Sequence, residues 1–456
     1  MSKVDYSKVT VIILAAGKGT RMKSNLPKVL HPVAGLPILY RTLNQVKSLG
    51  VTDIRVVLGY GQKLVEPLVN NFRAKVCIQK EQKGTADAVK SANLSTAQKT
   101  VIILNGDHPF IKAQELSALM KKHIQEESEF SVITSIVDQP GDRGRMIYFE
   151  NKPKAIVEAK DASAETLKIK EVNTGMYITQ LAILEKFLPK LSLHAGSKEW
   201  YFTEILSLVV EANHKVAFLK SSEDLAFGVN SQKDLAIATG RAFENKNKAL
   251  MDKGVVILNP ATTFIEELVE VGAGTVIYPG VHLKGKTAIG CFCVLEPNAF
   301  IHSSGIENSV QIKMGSYIER SLVKEKAIIG PYAHLRPESH IGKGAKVGNF
   351  VETKKAVLGE GVKASHLSYL GDVSIGANTN IGCGVVTCNY TLKKTKEKTT
   401  IGSNVFVGSN TQLIAPVNLE DNSCTAAGSV INKDVPKNAL AVARAKQINK
   451  ENFKKK

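Results

Sequence analysis

The sequence predicts a doubly wound α/β domain, then a connecting helix, then a parallel β-helix built from six-residue steps. Three observations carry this. Aliphatic residues recur at every sixth position through Val271, Ile277, Leu283, Ile289, Leu295 and Ile301, and after a slip through Ile306, Ile312 and Ile318, then Val323, Ile329, Leu335, Ile341 and Val347. The beat returns as Ile401, Val407, Leu413, Leu419, Thr425 and Ile431. Before it, buried-strand runs alternate with segments of helical periodicity, and between the two regions Ser231 to Met251 holds few glycines and no proline.

Neither a helix of period 3.6 nor an alternating strand can bury every sixth residue over such a length, whereas a chain that turns a corner every six residues can. Each hexad then supplies one short strand and one turn. Three hexads close a triangular coil whose core is completed by its neighbours. Glycine often follows the aliphatic, as at Gly290, Gly342, Gly348, Gly382 and Gly408, where corners need tight backbone. A β-sandwich is the alternative architecture, but its turns recur roughly every 8–12 residues.

At 456 residues the chain exceeds one ordinary core, so separate domains are expected over 1–230 and 252–456, joined by a helix over 231–251. That helix carries Leu235, Ala238, Ala242 and Leu250 along one stripe and would be about 30 Å long. No apolar run reaches membrane-spanning length, and Val9 to Ala16 runs into glycine and lysine without a cleavage pattern, so a cytoplasmic protein with no integral membrane segment is expected. The net charge of +18 fits nucleic acid, an anionic surface or phosphorylated small molecules. Lysines are dispersed apart from Lys454, Lys455 and Lys456, and aromatics are few, which argues against a nucleic-acid partner. The six cysteines (Cys77, Cys291, Cys293, Cys383, Cys388 and Cys424) form no Cys-x-x-Cys pair and read as reduced, mostly packed thiols.

Val9 to Leu14 reads as a buried strand that runs into Ala15-Ala16-Gly17-Lys18-Gly19-Thr20-Arg21-Met22, followed by Leu26-Pro27-Lys28. Small residues let backbone amides approach a phosphate chain, while Lys18, Arg21 and Lys28 offset its charge. The loop lacks the Gly-Lys-Ser/Thr of a Walker motif. Further strands are expected at Ile54–Gly59, Ala74–Gln79 and Val101–Leu104. Ligands in such sheets sit beyond the carboxyl ends of strands, where Gln79, Gly84-Thr85 and Asp107 fall. Asp107 could hold Mg²⁺ against phosphate oxygens or cap a helix ahead of Pro109. Asn173-Thr174-Gly175, taken alone, reads as a turn.

The wording Leu14-Ala15-Ala16-Gly17-x-Gly19-Thr20-Arg21 with Leu26-Pro27-Lys28 resembles the signature of sugar-nucleotide pyrophosphorylases. In the second half, His334-Leu335-Arg336-Pro337, Gly348 to Ala356, His366 to Asp372, Asn380-Ile381-Gly382 and Cys388-Asn389-Tyr390 put polar groups on coils that otherwise need aliphatics. With these, nearly the whole chain is similar to the family of bifunctional bacterial N-acetylglucosamine-1-phosphate uridylyltransferases/glucosamine-1-phosphate N-acetyltransferases. The resemblance implies a Rossmann-like nucleotidyltransferase domain, a helical linker and a left-handed parallel β-helix of hexapeptide repeats. It implies acetyl transfer from acetyl-CoA to glucosamine 1-phosphate, then uridylyl transfer from UTP to N-acetylglucosamine 1-phosphate with release of pyrophosphate. The product, UDP-N-acetylglucosamine, would feed cell-envelope polysaccharides, and the enzyme would be a homotrimer with its acetyl sites between subunits.

The same resemblance implies roles for individual residues. Arg21 would be catalytic, and Leu14, Ala15, Ala16, Gly17, Lys28, Gln79, Gly84, Thr85, Asn105, Gly106, Asp107, Gly144, Glu158, Asn173 and Asn230 would bind the nucleotide sugar. Asp107 and Asn230 would hold Mg²⁺. His366 would be the general base of acetyl transfer, with Arg336, Lys354, Tyr369 and Asn380 around the amino-sugar phosphate. Cys383, Asn389, Tyr390, Ser409, Ala427 and Arg444 would bind acetyl-CoA. The chemistry suits these types: an amine must be neutral to attack a thioester, imidazole can take its proton near neutrality, and Arg grips phosphate with a fork where Lys adds a point charge.

The chain departs from the family pattern in places. Asn105 replaces a frequent tyrosine, Asp87 a histidine, Phe227 an acid and Cys383 an alanine. After Asn389-Tyr390 comes Thr391-Leu392-Lys393-Lys394, so the loop lysine that reaches the sugar phosphate could be Lys393, Lys394, Lys396 or Lys398. A competing reading keeps the nucleotidyltransferase and treats the β-helix as an oligomerisation stack.

Overall fold

The computed structural model describes residues 4–150, 152–194, 198–451 and 453. It divides into two compact units, Met1–Gly240 and Arg241–Lys456. The lysines at 454–456 lie outside the described residues.

The first unit is built on a mixed sheet in the order Val216–Lys220, Phe130–Ile136, Glu171–Gln180, Thr100–Asn105, Val9–Ala15, Asp53–Leu58, Lys75–Ile78. Its central strands are continuous β-branched runs because both faces are covered. Ile13, Val56 and Ile102 pack on one side with Leu39, Leu43, Val46, Leu116 and Met120. Their chain neighbours Ile12, Val57, Val101 and Ile103 pack on the other with Val89, Leu184, Ile205 and Val209. This is the doubly wound arrangement.

One strand differs from the parallel expectation: Glu171–Gln180 runs antiparallel to both Thr100–Asn105 and Phe130–Ile136. It follows the hairpin Arg145–Phe149/Lys152–Val157 rather than a crossover helix, and an antiparallel return needs none. Asn173-Thr174-Gly175 is therefore a register shift inside a strand and not a turn, with Gly175 at φ 72°. In the parallel part, the pairs Leu14↔Asn105, Ala15↔Leu58 and Leu58↔Ile78 bring four strand ends to one edge.

The connecting helix spans Gln232–Met251. Ser231, expected inside it, instead caps it: the Ser231 hydroxyl accepts from the Asp234 backbone N–H (3.2 Å), and Asp234 Oδ2 accepts from the Ser231 N–H (2.9 Å).

The second unit is the left-handed β-helix. Ile265↔Leu283 and Ile277↔Leu295 pair 18 residues apart, and Leu295↔Ile312 pairs 17 apart where the beat slips. One face is an eleven-strand ladder from Val256–Ile257 to Leu440–Ala441, and the other two join because Glu352–Leu358 and Tyr369–Ile375 run uninterrupted around a corner. The hexad aliphatics form one core. Where the beat lapses, Thr353, Leu358, Ala364, Leu370, Ile375, Ile381 and Thr387 occupy the same inward rank, all buried. At the corners a Cβ on Gly348 would collide with the Ser365 carbonyl of the next coil, and one on Gly382 would lie 2.5 Å from the Ser409 nitrogen. Leu335 is fully buried in this core, so Leu335→Ala is expected to cost about 2–5 kcal/mol in thermal or urea unfolding.

Candidate active sites

In the α/β unit the strand ends open onto a cleft of about 1010 Å³. Leu14, Ala15, Ala16 and Gly17 form one wall with Arg21 and Lys28, and Gln79, Gly84, Thr85, Asn105, Asp107 and Glu158 complete it. Gly106 sits beneath, its N–H bonded to the Leu14 carbonyl (2.9 Å), and Gly144 accepts the Asn173 N–H (2.9 Å). The Asn173 side chain donates to the Tyr177 hydroxyl (2.7 Å) within the sheet. These three therefore shape the floor rather than line the cleft.

The charged heart of the cleft is Lys28. Its ammonium donates to Asp107 Oδ2 (2.5 Å) and Asn230 Oδ1 (2.9 Å), residues 79 and 202 positions away in the chain. Burial works to raise the Asp107 carboxyl, but Lys28 and His108 overcome it and hold the group below the usual carboxylate range. The Val229 N–H donates to the Asp107 carbonyl (3.0 Å), and His108 Nδ1 donates to the Leu225 carbonyl (2.8 Å), which ties the two loops together. Two oxygen donors thus already grip a cation, the donor type Mg²⁺ prefers. Among the described residues no cluster of three or more His, Cys, Asp or Glu stands ready for a metal, so an ion here would take its other ligands from water and phosphate.

Elsewhere Arg21 pairs with Asp142 (2.7 Å), and Gly19 takes a left-handed φ of 61° against the Lys28 side chain. Burial pushes the Glu158 carboxyl up, partly offset by the Thr203 hydroxyl that donates to it (3.0 Å). Asn105 packs over Gly175, where a Cβ would strike its amide. Glu199 and Tyr201 also line the cleft, brought there because the Trp200 carbonyl accepts the Ala86 N–H (3.1 Å) and Thr85 Oγ1 accepts the Phe202 N–H (3.0 Å). Sequence reasoning missed them, since no local pattern announces a distant segment folding over a loop.

In the β-helix, register turns scattered residues into a column. Asn349 pairs with His366 directly. Ala364↔Ile381, Ile381↔Val407 and Val407↔Thr425 then put His366, Cys383, Ser409 and Ala427, each two residues further on, at the same corner of successive coils. With rungs about 4.8 Å apart, His366 to Ala427 spans about 14 Å. Arg444 adjoins the end of the column, donating to the Ala427 carbonyl (3.1 Å). His366 is exposed, and its Nδ1–H donates to Asn349 Oδ1 (2.7 Å), which leaves Nε2 as the lone-pair nitrogen. Sequence reasoning assigned Asn349 no role, because only the pairing of adjacent coils brings it to His366.

The neighbouring face carries the cations. Arg336 stands one rung below Lys354, which is in register with Gly371. Arg336 pairs with Glu352 (2.7 Å). The two cations border a depression of about 440 Å³. Tyr369 closes over Gly371, and Asn389 donates to Asp372 (2.5 Å) at the root of the loop that follows. That loop is folded back by Tyr390↔Lys396 and by the Glu397 N–H on the Asn389 carbonyl (2.9 Å). Of the four candidate lysines, Lys396 is the one beside Lys354; its charge, with that of Arg336, pushes the Lys354 ammonium down from the ordinary lysine range. Asn380 lies on a different face, in register with Lys363, away from the Arg336–Lys354 rank.

Residues 11–168 match the MobA-like NTP transferase domain family, and residues 398–433 match the bacterial transferase hexapeptide family of six repeats. A bifunctional GlmU protein of Bdellovibrio bacteriovorus is 48% identical across 98% of this chain and 97% of its own length. Those of Carboxydothermus hydrogenoformans (43%, over 97% and 99%) and Geotalea uraniireducens (41%, over 98% and 98%) are similar along the same span. With a nucleotidyltransferase cleft in one unit, a polar column on a hexapeptide coil in the other, and this identity running through both, the chain belongs to the GlmU family of bifunctional acetyltransferase–uridylyltransferase enzymes.

Proposed function

We propose that acetyl transfer runs along the His366 column and uridylyl transfer in the Lys28 cleft, together converting glucosamine 1-phosphate to UDP-N-acetylglucosamine, a precursor of cell-envelope polysaccharides. The observation that carries the assignment is the column itself: an imidazole with a fixed tautomer heads a row of Cys383, Ser409 and Ala427 long enough for an extended thioester. Arg336, Lys354 and Lys396 would hold the sugar phosphate, with Tyr369 beside the amino sugar. Asn380, on its separate face, would serve a neighbouring subunit's site.

In the first reaction the glucosamine nitrogen attacks the thioester carbonyl carbon. His366 Nε2 accepts the amine proton as the N–C bond forms, then returns a proton to sulfur as the C–S bond breaks and CoA leaves as the thiol. The product then moves to the other unit. Its phosphate oxygen attacks the α-phosphorus of UTP, and the bond to the β-phosphate oxygen breaks to release pyrophosphate. Arg21 and Lys28 neutralise the phosphates and align them, without a covalent intermediate. Mg²⁺ bound by Asp107 and Asn230 would add charge neutralisation at the phosphate oxygens.

A homotrimer is part of this reading. His366 stands in the open, and beside it Tyr332, Phe350 and Leu367 stack as a stripe left 47%, 58% and 59% exposed, which an adjoining subunit would cover. A cytoplasmic location suits the substrates, and no helix among the described residues is long and apolar enough to cross a membrane. Two assays on the purified chain test the reading. CoA should be released from acetyl-CoA only with glucosamine 1-phosphate, and pyrophosphate from UTP only with N-acetylglucosamine 1-phosphate. Pyrophosphate release without any CoA release would leave the β-helix as an oligomerisation stack.

A further inference from the structure

We propose that Asp87 is a positioning residue that sets the base preference of the nucleotide cleft by locking the side-chain amide of Gln79 in one orientation. The inference rests on the uridylyl-transfer reading of that cleft. Gln79 follows the strand Lys75–Ile78, its backbone N–H is bonded to the Leu58 carbonyl (2.9 Å), and its side chain lines the cleft while only 5% of the residue is exposed. Its Nε2 donates to the Gly84 carbonyl (3.1 Å) and to Asp87 Oδ2 (2.8 Å).

Both partners are acceptors with no proton to give, a peptide carbonyl and a carboxylate. The flipped amide would set Oε1 against two oxygens, so the orientation follows from the chemistry of the neighbours. With both amide hydrogens taken, Oε1 is what Gln79 can offer the cleft, and Oε1 only accepts. Without Asp87, the Gly84 carbonyl alone would hold one hydrogen, and the amide would be freer to turn.

Asp87 is itself held firmly. It sits in the first turn of the short helix Thr85–Lys90, and its carbonyl accepts the Ser91 N–H (3.0 Å). The start of that helix is clamped by the Trp200 carbonyl on the Ala86 N–H (3.1 Å). An acceptor fixed in a nearly buried position favours a pyrimidine whose ring N3 carries hydrogen, as in uracil. Cytosine presents a lone pair at the same ring position, so two acceptors would face each other without water to separate them. Sites built around one buried hydrogen bond discriminate strongly for this reason.

Asp87→Asn is the least intrusive test, because asparagine has the same shape and can turn either its oxygen or its NH₂ toward Gln79. The full-length enzyme is assayed for pyrophosphate release with N-acetylglucosamine 1-phosphate, Mg²⁺ and either UTP or CTP. The ratio of kcat/KM for UTP over CTP is expected to fall about tenfold or more in Asp87→Asn and in Asp87→Ala, with KM for N-acetylglucosamine 1-phosphate held near wild type. If turnover is too low, calorimetric affinities for UTP and CTP give the same ratio. An unchanged ratio in both variants, including a parallel loss with both nucleotides, would overturn the inference and leave Asp87 a structural residue. A wild-type enzyme that releases no pyrophosphate from either nucleotide would instead remove the uridylyl-transfer reading beneath it.

Discussion

Asp107→Ala is expected to lower pyrophosphate release about a hundredfold to a thousandfold and to leave CoA release at wild-type levels. Asp107 and Asn230 supply the two oxygens that accept from the Lys28 ammonium, and Asp107 is the charged one of the pair. Without it, Lys28 keeps the Asn230 oxygen alone, and the cleft loses the anion proposed to organise cations around the triphosphate. A second readout is the Mg²⁺ concentration needed for half-maximal activity, which should rise steeply. Asp107→Asn retains the shape and one acceptor oxygen but removes the charge, so it should fall between wild type and alanine. No such effect is expected on acetyl transfer, whose proposed residues all lie on the other unit.

His366→Ala is expected to have the opposite profile. CoA release should fall about a hundredfold to ten-thousandfold, the range general-base catalysis supplies, while pyrophosphate release from UTP and N-acetylglucosamine 1-phosphate stays intact. Because His366 is exposed and its ring hydrogen-bonds Asn349 on the adjoining coil rather than filling the core, truncation leaves the coil core untouched. The KM for acetyl-CoA should change far less than kcat, since Ser409, Ala427 and Arg444 remain in place. A fall in thermal stability comparable to that of Leu335→Ala would point to a packing role instead.

Much of the second unit was legible because each six-residue step turns one large aliphatic toward the axis, and Val271 to Val347 therefore repeat in sixes. The beat faded over the coils proposed to carry the chemistry since Thr353, Ala364 and Thr387 fill the inward rank with small or polar side chains, whose neighbours suffice to complete the core. The column proposed for acetyl transfer was not legible as a column. Its members are separated by 17, 26 and 18 residues, and the long interval hides the loop from Asn389 to Lys398 that leaves the coil and returns. Register, which the sequence does not state, is what aligns them.

In the first unit the loop from Ala15 to Lys28 announced itself, because close backbone approach to phosphate restricts residue type. The pairing of Asp107 with Asn230 was implied by resemblance alone, and their meeting with Lys28 was not foreseen, since residues so far apart in the chain leave no local trace. The antiparallel strand escaped notice for a related reason: Asn173-Thr174-Gly175 has turn composition, and only tertiary pairing makes it a bulge. Asp87 read as a departure from the family pattern, and the geometry gives it a partner in Gln79.

In the proposed function two separate stations act in sequence through a freely released intermediate. Mixing equal amounts of Asp107→Ala and His366→Ala enzyme with glucosamine 1-phosphate, acetyl-CoA, UTP and Mg²⁺ tests it most directly, with UDP-N-acetylglucosamine measured by chromatography. Each variant alone should make almost none, and the mixture should restore formation to within a few fold of wild type. A mixture as inactive as its parts, with each variant retaining its own half-reaction, would rule out sequential action through a released intermediate.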